Sequence, residues 1–100
     1  LTNLRVRDIT QALKRKGMKP ARPGDHSRFI RTTPTGFKIT TMVSHGARTI
    51  DDTLIGTMAR QCNLTKAQFL DLVECPLSQE DWDAEIARRD AEGTLFTRGR

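Results

Sequence analysis

Val6, Ile9 and Leu13 recur at three- and four-residue intervals in RVRDITQALKRKG, the spacing that lines one face of a helix. Asp8 near the start, Lys14, Arg15 and Lys16 in the last turn and Gly17 beyond it suit the helix dipole and a stop, so the pattern predicts a helix over about 5 to 16. From Met18 onward the period changes. Pro20, Pro23, Gly24, Pro34 and Gly36 punctuate strand-length runs rich in Thr, Ile, Phe and Val. These predict strands over about 18 to 22, 26 to 33 and 37 to 44, the last two joined across Pro34 and Gly36 as an antiparallel hairpin.

After Gly46 the helical period returns. TIDD, TKAQ and SQED each set Thr or Ser three residues before Asp or Gln, the spacing of a reciprocal cap on a first helical turn. Helices are therefore expected over about 50 to 62, 66 to 74 and 79 to 92. Their core candidates are Leu54, Ile55, Met58, Ala59 and Cys62, then Phe69, Leu70 and Val73, then Trp82 and Ile86. GTLFTRGR, residues 93 to 100, reads as a frayed, flexible tail.

The order is α-β-β-β-α with two further short helices, which predicts an α+β domain with helices on one face of a three-stranded antiparallel sheet. A double-stranded-RNA-binding-like fold has that order. At 100 residues one domain is expected, residues 1 to 75 forming its main part and 76 to 92 a helical extension packed on it.

Strand alternation then sorts the sheet residues. Phe29 is the core candidate of its strand, with Ser27 and Arg31 on its side, so His26, Arg28 and Ile30 face the other way. On the next strand Phe37, Ile39, Thr41 and Val43 form the core row, leaving Lys38, Thr40 and Met42 beside the histidine. The open face gathers an imidazole, a guanidinium and an ammonium.

Charge sharpens this picture. Residues 1 to 48 hold eleven Lys or Arg against Asp8 and Asp25, a charge of +9, whereas residues 49 to 100 hold six against ten acids, −4, for a net +5. The first half attracts polyanions and the second repels them. Cys62 and Cys75 form no CxxC pair and have no histidine at zinc spacing, which favours reduced thiols over a disulfide or metal site. No apolar run approaches the roughly 20 residues of a membrane span. With no basic-then-apolar leader visible, a cytoplasmic protein without a membrane partner is the expectation.

The grouping suits RNA chemistry. Phosphodiester cleavage needs a base for the ribose 2′-hydroxyl proton, cations for the phosphorane oxygens and a proton for the leaving 5′-oxygen. Histidine, with an unperturbed pKa of about 6.5, takes and returns a proton near neutrality. Gly24 permits a tight turn beside a phosphate, and Lys19 and Arg22 are placed to clamp neighbouring phosphates. Read from the residues alone, His26 is more often a turn residue at a strand entry, and a basic sheet face binds RNA without cutting it.

The succession RDITQALKRKGM, GDHSRF, a hairpin, KITTMVSHG and DDTLIGTMARQCNLTKAQFLDLV resembles the HicA family of bacterial and archaeal toxins over about residues 5 to 74. GDHSRF stands where that family has Gly-x-His-x-x-aromatic. The resemblance implies a small ribonuclease of double-stranded-RNA-binding-like fold that cleaves mRNA without a metal or other cofactor and is silenced by a HicB-like antitoxin. It implies that His26 is catalytic and that Gly24 shapes its loop; Lys19, Arg22, Arg28 and Lys38, gathered by the sheet reading, are the expected RNA contacts. Asp25 replaces the Ser that many members carry before the histidine, and a carboxylate there raises or orients the imidazole. Val43-Ser44-His45 replaces the family's Pro-x-His, leaving His45 as a second acid, an RNA contact or, by preference, a loop residue. A non-catalytic RNA-binding module of the same fold is the alternative. Ile30 and Met42 on the open face offer contact to an antitoxin or to a second copy in a homodimer.

Overall fold

The computed structural model describes residues 4–24, 27–43, 48–74 and 76–96. In chain order the elements are β1 (Leu4–Arg5), α1 (Val6–Arg15), β2 (Lys19–Pro20), β3 (Arg28–Thr32), β4 (Lys38–Met42), β5 (Thr49–Ile50), α2 (Asp52–Gln61), α3 (Lys66–Glu74) and α4 (Gln79–Glu92). The chain is α+β, with a three-stranded antiparallel sheet in the order β2-β3-β4 and four helices.

α1 buries Val6, Ile9, Ala12 and Leu13 along one stripe. It ends where Gly17, at φ +94°, lets the Met18 amide donate back to Leu13 O and its own amide to Lys14 O. That paired closure fits a left-handed residue just past a helix. A Cβ on Gly17 would also come within 3.0 Å of the Arg31 and Gln79 side chains, so this stop doubles as a close approach between elements.

The hairpin registers Arg28 opposite Met42, Ile30 opposite Thr40 and Thr32 opposite Lys38, with Phe29 opposite Thr41 and Arg31 opposite Ile39 between them. Since directly paired residues share a face, the alternation expected from the sequence holds. Phe29, Arg31, Ile39 and Thr41 are buried, while Arg28, Thr32, Lys38 and Met42 are exposed. Val43 extends the buried row and Phe37 is partly buried against it.

Two of the three capping boxes expected from the sequence form. Thr65 and Gln68 exchange bonds of 2.8 and 3.1 Å at the start of α3, and Ser78 and Asp81 exchange bonds of 3.1 and 3.0 Å at the start of α4. The box at TIDD is corrected. Asp51 caps α2 by accepting from the Leu54 amide at 3.0 Å, because Thr49 is taken into β5 opposite Arg5. The small antiparallel β1–β5 sheet, with Leu4 opposite Ile50, was not anticipated.

Two core assignments change, Leu54 being exposed and Leu70 only partly buried, and Leu72, not singled out from the sequence, is fully buried. α4 enters the same core as the preceding elements through Trp82 and Ile86, and the Trp82 indole donates to Cys62 O at 2.8 Å. Contacts to the body of the domain are made within residues 93–96. Asn63, itself left-handed at φ 60°, donates to Phe96 O at 3.2 Å and accepts from its amide at 2.6 Å, while the Arg60 guanidinium sits 5.0 Å from the Phe96 ring. Residues 97–100 lie outside the described residues. Among the described residues no helix is long and apolar enough to cross a membrane.

Candidate nucleic-acid interface

Not all of the positive charge in the first half is available to a ligand. The Arg31 guanidinium lies beneath the sheet, 4.3 Å from the Trp82 ring centre and 2.6 Å from Asp83 Oδ1. Those two charged atoms meet outside hydrogen-bond alignment, so the contact is one of buried charges rather than a directed bond. Lys16 is likewise buried and its ammonium donates to Leu77 O at 2.6 Å, tying the end of α1 to the α3–α4 link. Both cations serve the fold.

The remaining candidates stay outside. Arg28 and Lys38 project from the exposed face of the sheet, and Lys19, paired with Ile30 across β2 and β3, joins them. Arg22 and Gly24 belong to the exposed turn between β2 and β3, where Gly24 adopts φ +80° with open space around it. The flanks of this turn are held. Ala21 N donates to Arg28 O at 2.9 Å and Val43 N to Ser27 O at 2.7 Å. Among the described residues none of Lys19, Arg22, Arg28 and Lys38 is in an ion pair. His26, Asp25 and His45 lie outside the described residues.

The register separates two residues that the sequence reading had grouped. Arg28 stands opposite Met42 and Lys38 opposite Thr32, so they are four ladder positions apart, about 14 Å at about 3.4 Å per residue. The two cations are therefore spread along the face rather than gathered at one point. Arg28, two residues from His26, remains next to that histidine in the chain; Lys38 marks the far end of the face.

A second basic cluster escaped the sequence reading. Arg5, Arg7 and Arg48, together with Val6 and Thr49, line a concavity of about 570 Å³. They converge because β1 pairs with β5 and the Val6 amide donates to Arg48 O at 2.9 Å. No acidic side chain is among its described lining, and none of the three arginines is in an ion pair among the described residues. Residues 43 positions apart carry no periodic signal of that meeting. Only the paired strands reveal it.

The acidic half is handled differently. Glu85 contacts Arg88 and Arg89 on α4, at 2.6 and 2.8 Å, and Arg88 reaches on to Glu92 at 2.8 Å. The hydrogen bond from Arg88 is the main cause holding the Glu85 carboxyl down at about 2. Cys62, fully buried, has its thiol pushed up to about 12 by burial, which makes it a packing residue with no thiolate to offer. Cys75 lies outside the described residues. Among the described residues no group of three or more His, Cys, Asp or Glu is disposed to hold a metal ion.

A scan against protein-family models, a search of the curated proteins and a search of the solved structures each return no match to this chain.

Proposed function

We propose that the chain binds RNA across the exposed face of the β2-β3-β4 sheet and cleaves it as an endoribonuclease toxin of the HicA kind, with His26 as general base. The observation that carries the RNA reading is the segregation of charge. Arg31 and Lys16 are drawn into the core, while Lys19, Arg28 and Lys38 share one sheet face with Arg22 in the adjoining turn. Such a surface attracts the phosphate backbone without selecting sequence.

The catalytic part rests on the resemblance of GDHSRF and its flanking elements to HicA toxins, and so does the double-stranded-RNA-binding-like assignment of the fold. In this reading the His26 imidazole takes the ribose 2′-hydroxyl proton and the 2′-oxygen attacks phosphorus. The bond to the 5′-oxygen breaks as that oxygen gains a proton, leaving a 2′,3′-cyclic phosphate and a free 5′-hydroxyl. Arg28 is the cation assigned to the phosphorane oxygens. Lys38, about 14 Å away along the ladder, binds a different phosphate. A HicB-like antitoxin covering the same face silences the enzyme.

The test is incubation of the purified chain with end-labelled single-stranded RNA, wild type beside His26→Ala, with analysis of the ends formed. Cyclic-phosphate ends from wild type and a loss of about 10²- to 10⁴-fold in the variant are expected. Equal binding by both proteins with no cleavage by either would leave a non-catalytic RNA-binding module. Failure of wild type to bind RNA at low salt would remove the RNA reading altogether.

A further inference from the structure

Met42 and Leu54 are the only large hydrophobic side chains among the described residues that stand clearly exposed, at 43% and 46%, and both open onto the same groove. The groove holds about 410 Å³, within the roughly 300–1,000 Å³ of small-ligand sites. One wall is a face of α2. Leu54, Met58 and Gln61 follow one another at four and three residues, a run of about 10 Å at about 1.5 Å per residue. Met42 at the end of β4 and Ile50 of β5 form the other wall.

The polar side chains of the lining are Ser27, Thr57 and Gln61, and Gln61 is fixed against the sheet. Gln61 Oε1 accepts from Thr41 Oγ1 at 2.8 Å and from the Met42 amide at 3.4 Å. A backbone amide only donates, so the oxygen must be the end turned to the sheet, and the two Nε2 donors are left for the groove. Among the described residues no hydrogen bond engages Nε2. Two thioethers, Met42 and Met58, line the same space, and sulfur packs favourably against the edge of an aromatic ring.

Its borders are cationic. Arg28 is the cross-strand neighbour of Met42 on the open sheet face. β5 also joins the two concavities: Ile50 lines the groove, while Thr49 lines the pocket of Arg5, Arg7 and Arg48. No acidic side chain is among the described lining of either one.

We infer that this groove seats an unstacked nucleobase of a single-stranded RNA, with the adjoining backbone held by Arg28 on one side and by Arg5, Arg7 and Arg48 on the other. The inference rests on the RNA reading above and adds to it a base-binding site and a second phosphate site. An aromatic heterocycle matches the parts: two apolar walls for its faces and edge, and an amide donor for a base carbonyl. Single-stranded RNA is recognised by splaying out bases in this way. The flanking arginines, in no ion pair among the described residues, favour a polyanion over an apolar protein segment.

The test measures binding of the full chain to two oligomers of equal length, by fluorescence anisotropy at two salt concentrations. One is 2′-O-methyl RNA of mixed sequence, which has no 2′-hydroxyl proton to lose and so cannot be cleaved by the proposed route. The other is the same backbone without bases. Replacing the exposed pair, Met42→Ser with Leu54→Ser, is expected to weaken the base-bearing oligomer about 10-fold, by analogy with the loss of one base contact, and to leave the abasic one unchanged. Arg48→Ala with Arg7→Ala is expected to weaken both oligomers and to flatten the salt dependence by about two units of slope.

Each other outcome has a distinct meaning. Wild type binding neither oligomer overturns the RNA reading and this inference together. Wild type binding RNA while the Met42/Leu54 variant binds it equally well overturns the base site alone, as does an equal loss on both oligomers. If that variant instead changes a dimer to a monomer in light scattering with RNA affinity intact, the groove is a contact between copies and the inference is wrong. Circular dichroism confirms that each variant is folded.

Discussion

The guanidinium of Arg31 lies 4.3 Å from the centre of the Trp82 ring and 2.6 Å from the Asp83 carboxylate, joining the middle strand of the sheet to α4. The two charged side chains are unequally sheltered, 4% exposed for Arg31 and 23% for Asp83. That asymmetry predicts a ranking. Asp83→Ala leaves a cation sealed in the core and is expected to cost about 3 kcal/mol. Arg31→Met is expected to cost less, since methionine packs on the indole and Asp83 retains access to water. Urea unfolding of both single variants and the double variant checks the ranking; a larger loss for Arg31→Met would refute it.

Arg28 and Lys38 occupy opposite ends of one sheet face and are expected to separate functionally. Either alanine variant should reduce the salt slope of RNA binding by about one unit. Only Arg28→Ala should lower the cleavage rate constant at saturating RNA, by about 10²-fold, the scale of losing one donor to a developing oxyanion. Single-turnover cleavage beside anisotropy titrations distinguishes these effects.

Acid should weaken α4 in a defined window. The carboxyl of Glu85 is held at about 2, below its ordinary 4.5, chiefly by the hydrogen bond from Arg88. A depressed acid contributes stability that is complete above its unfolded value and declines as pH falls toward the folded one. The contribution is therefore present at pH 5 and fades between about 4.5 and 2. Urea midpoints across that range should converge for wild type and Glu85→Gln as pH falls. Parallel curves would show that this group is not responsible.

Burial holds the Cys62 thiol at about 12, above its ordinary 9.0. An acid whose folded value is raised stabilises the fold below its unfolded value and loses that contribution as pH rises through the folded one. At pH 8 Cys62 is thus a neutral, enclosed thiol. Alkylation followed by peptide mapping should leave the peptide carrying Cys62 unlabelled in the native protein and label it fully in denaturant. Prompt native labelling would contradict its enclosure.

The sequence revealed those features that depend on local spacing. The stripe of Val6, Ile9 and Leu13, the reciprocal caps at Thr65 and Ser78, and the two faces of the hairpin are written within a few residues of one another. What it concealed depends on distant meetings. Two-residue strands such as Leu4–Arg5 and Thr49–Ile50 are too short to show a period, so the gathering of Arg5, Arg7 and Arg48 was invisible. A charge count also cannot distinguish Arg28 in solvent from Arg31 against an indole. Leu54 reads as core from its spacing yet is exposed, and Leu72 goes unmarked yet is buried, because α2 and α3 each bury a stripe whose direction is set by its neighbours.

The chain has one tryptophan, and its indole is fully enclosed, bonded to the end of α2 behind the sheet. The exposed cationic face of the β2-β3-β4 sheet, with Arg28 and Lys38, is on the opposite side. Intrinsic emission should therefore follow the docking of α4 while staying nearly blind to events on the cationic face. Folding and ligand occupancy can then be followed in one cuvette through separate optical signals, with the nucleic acid carrying the second dye.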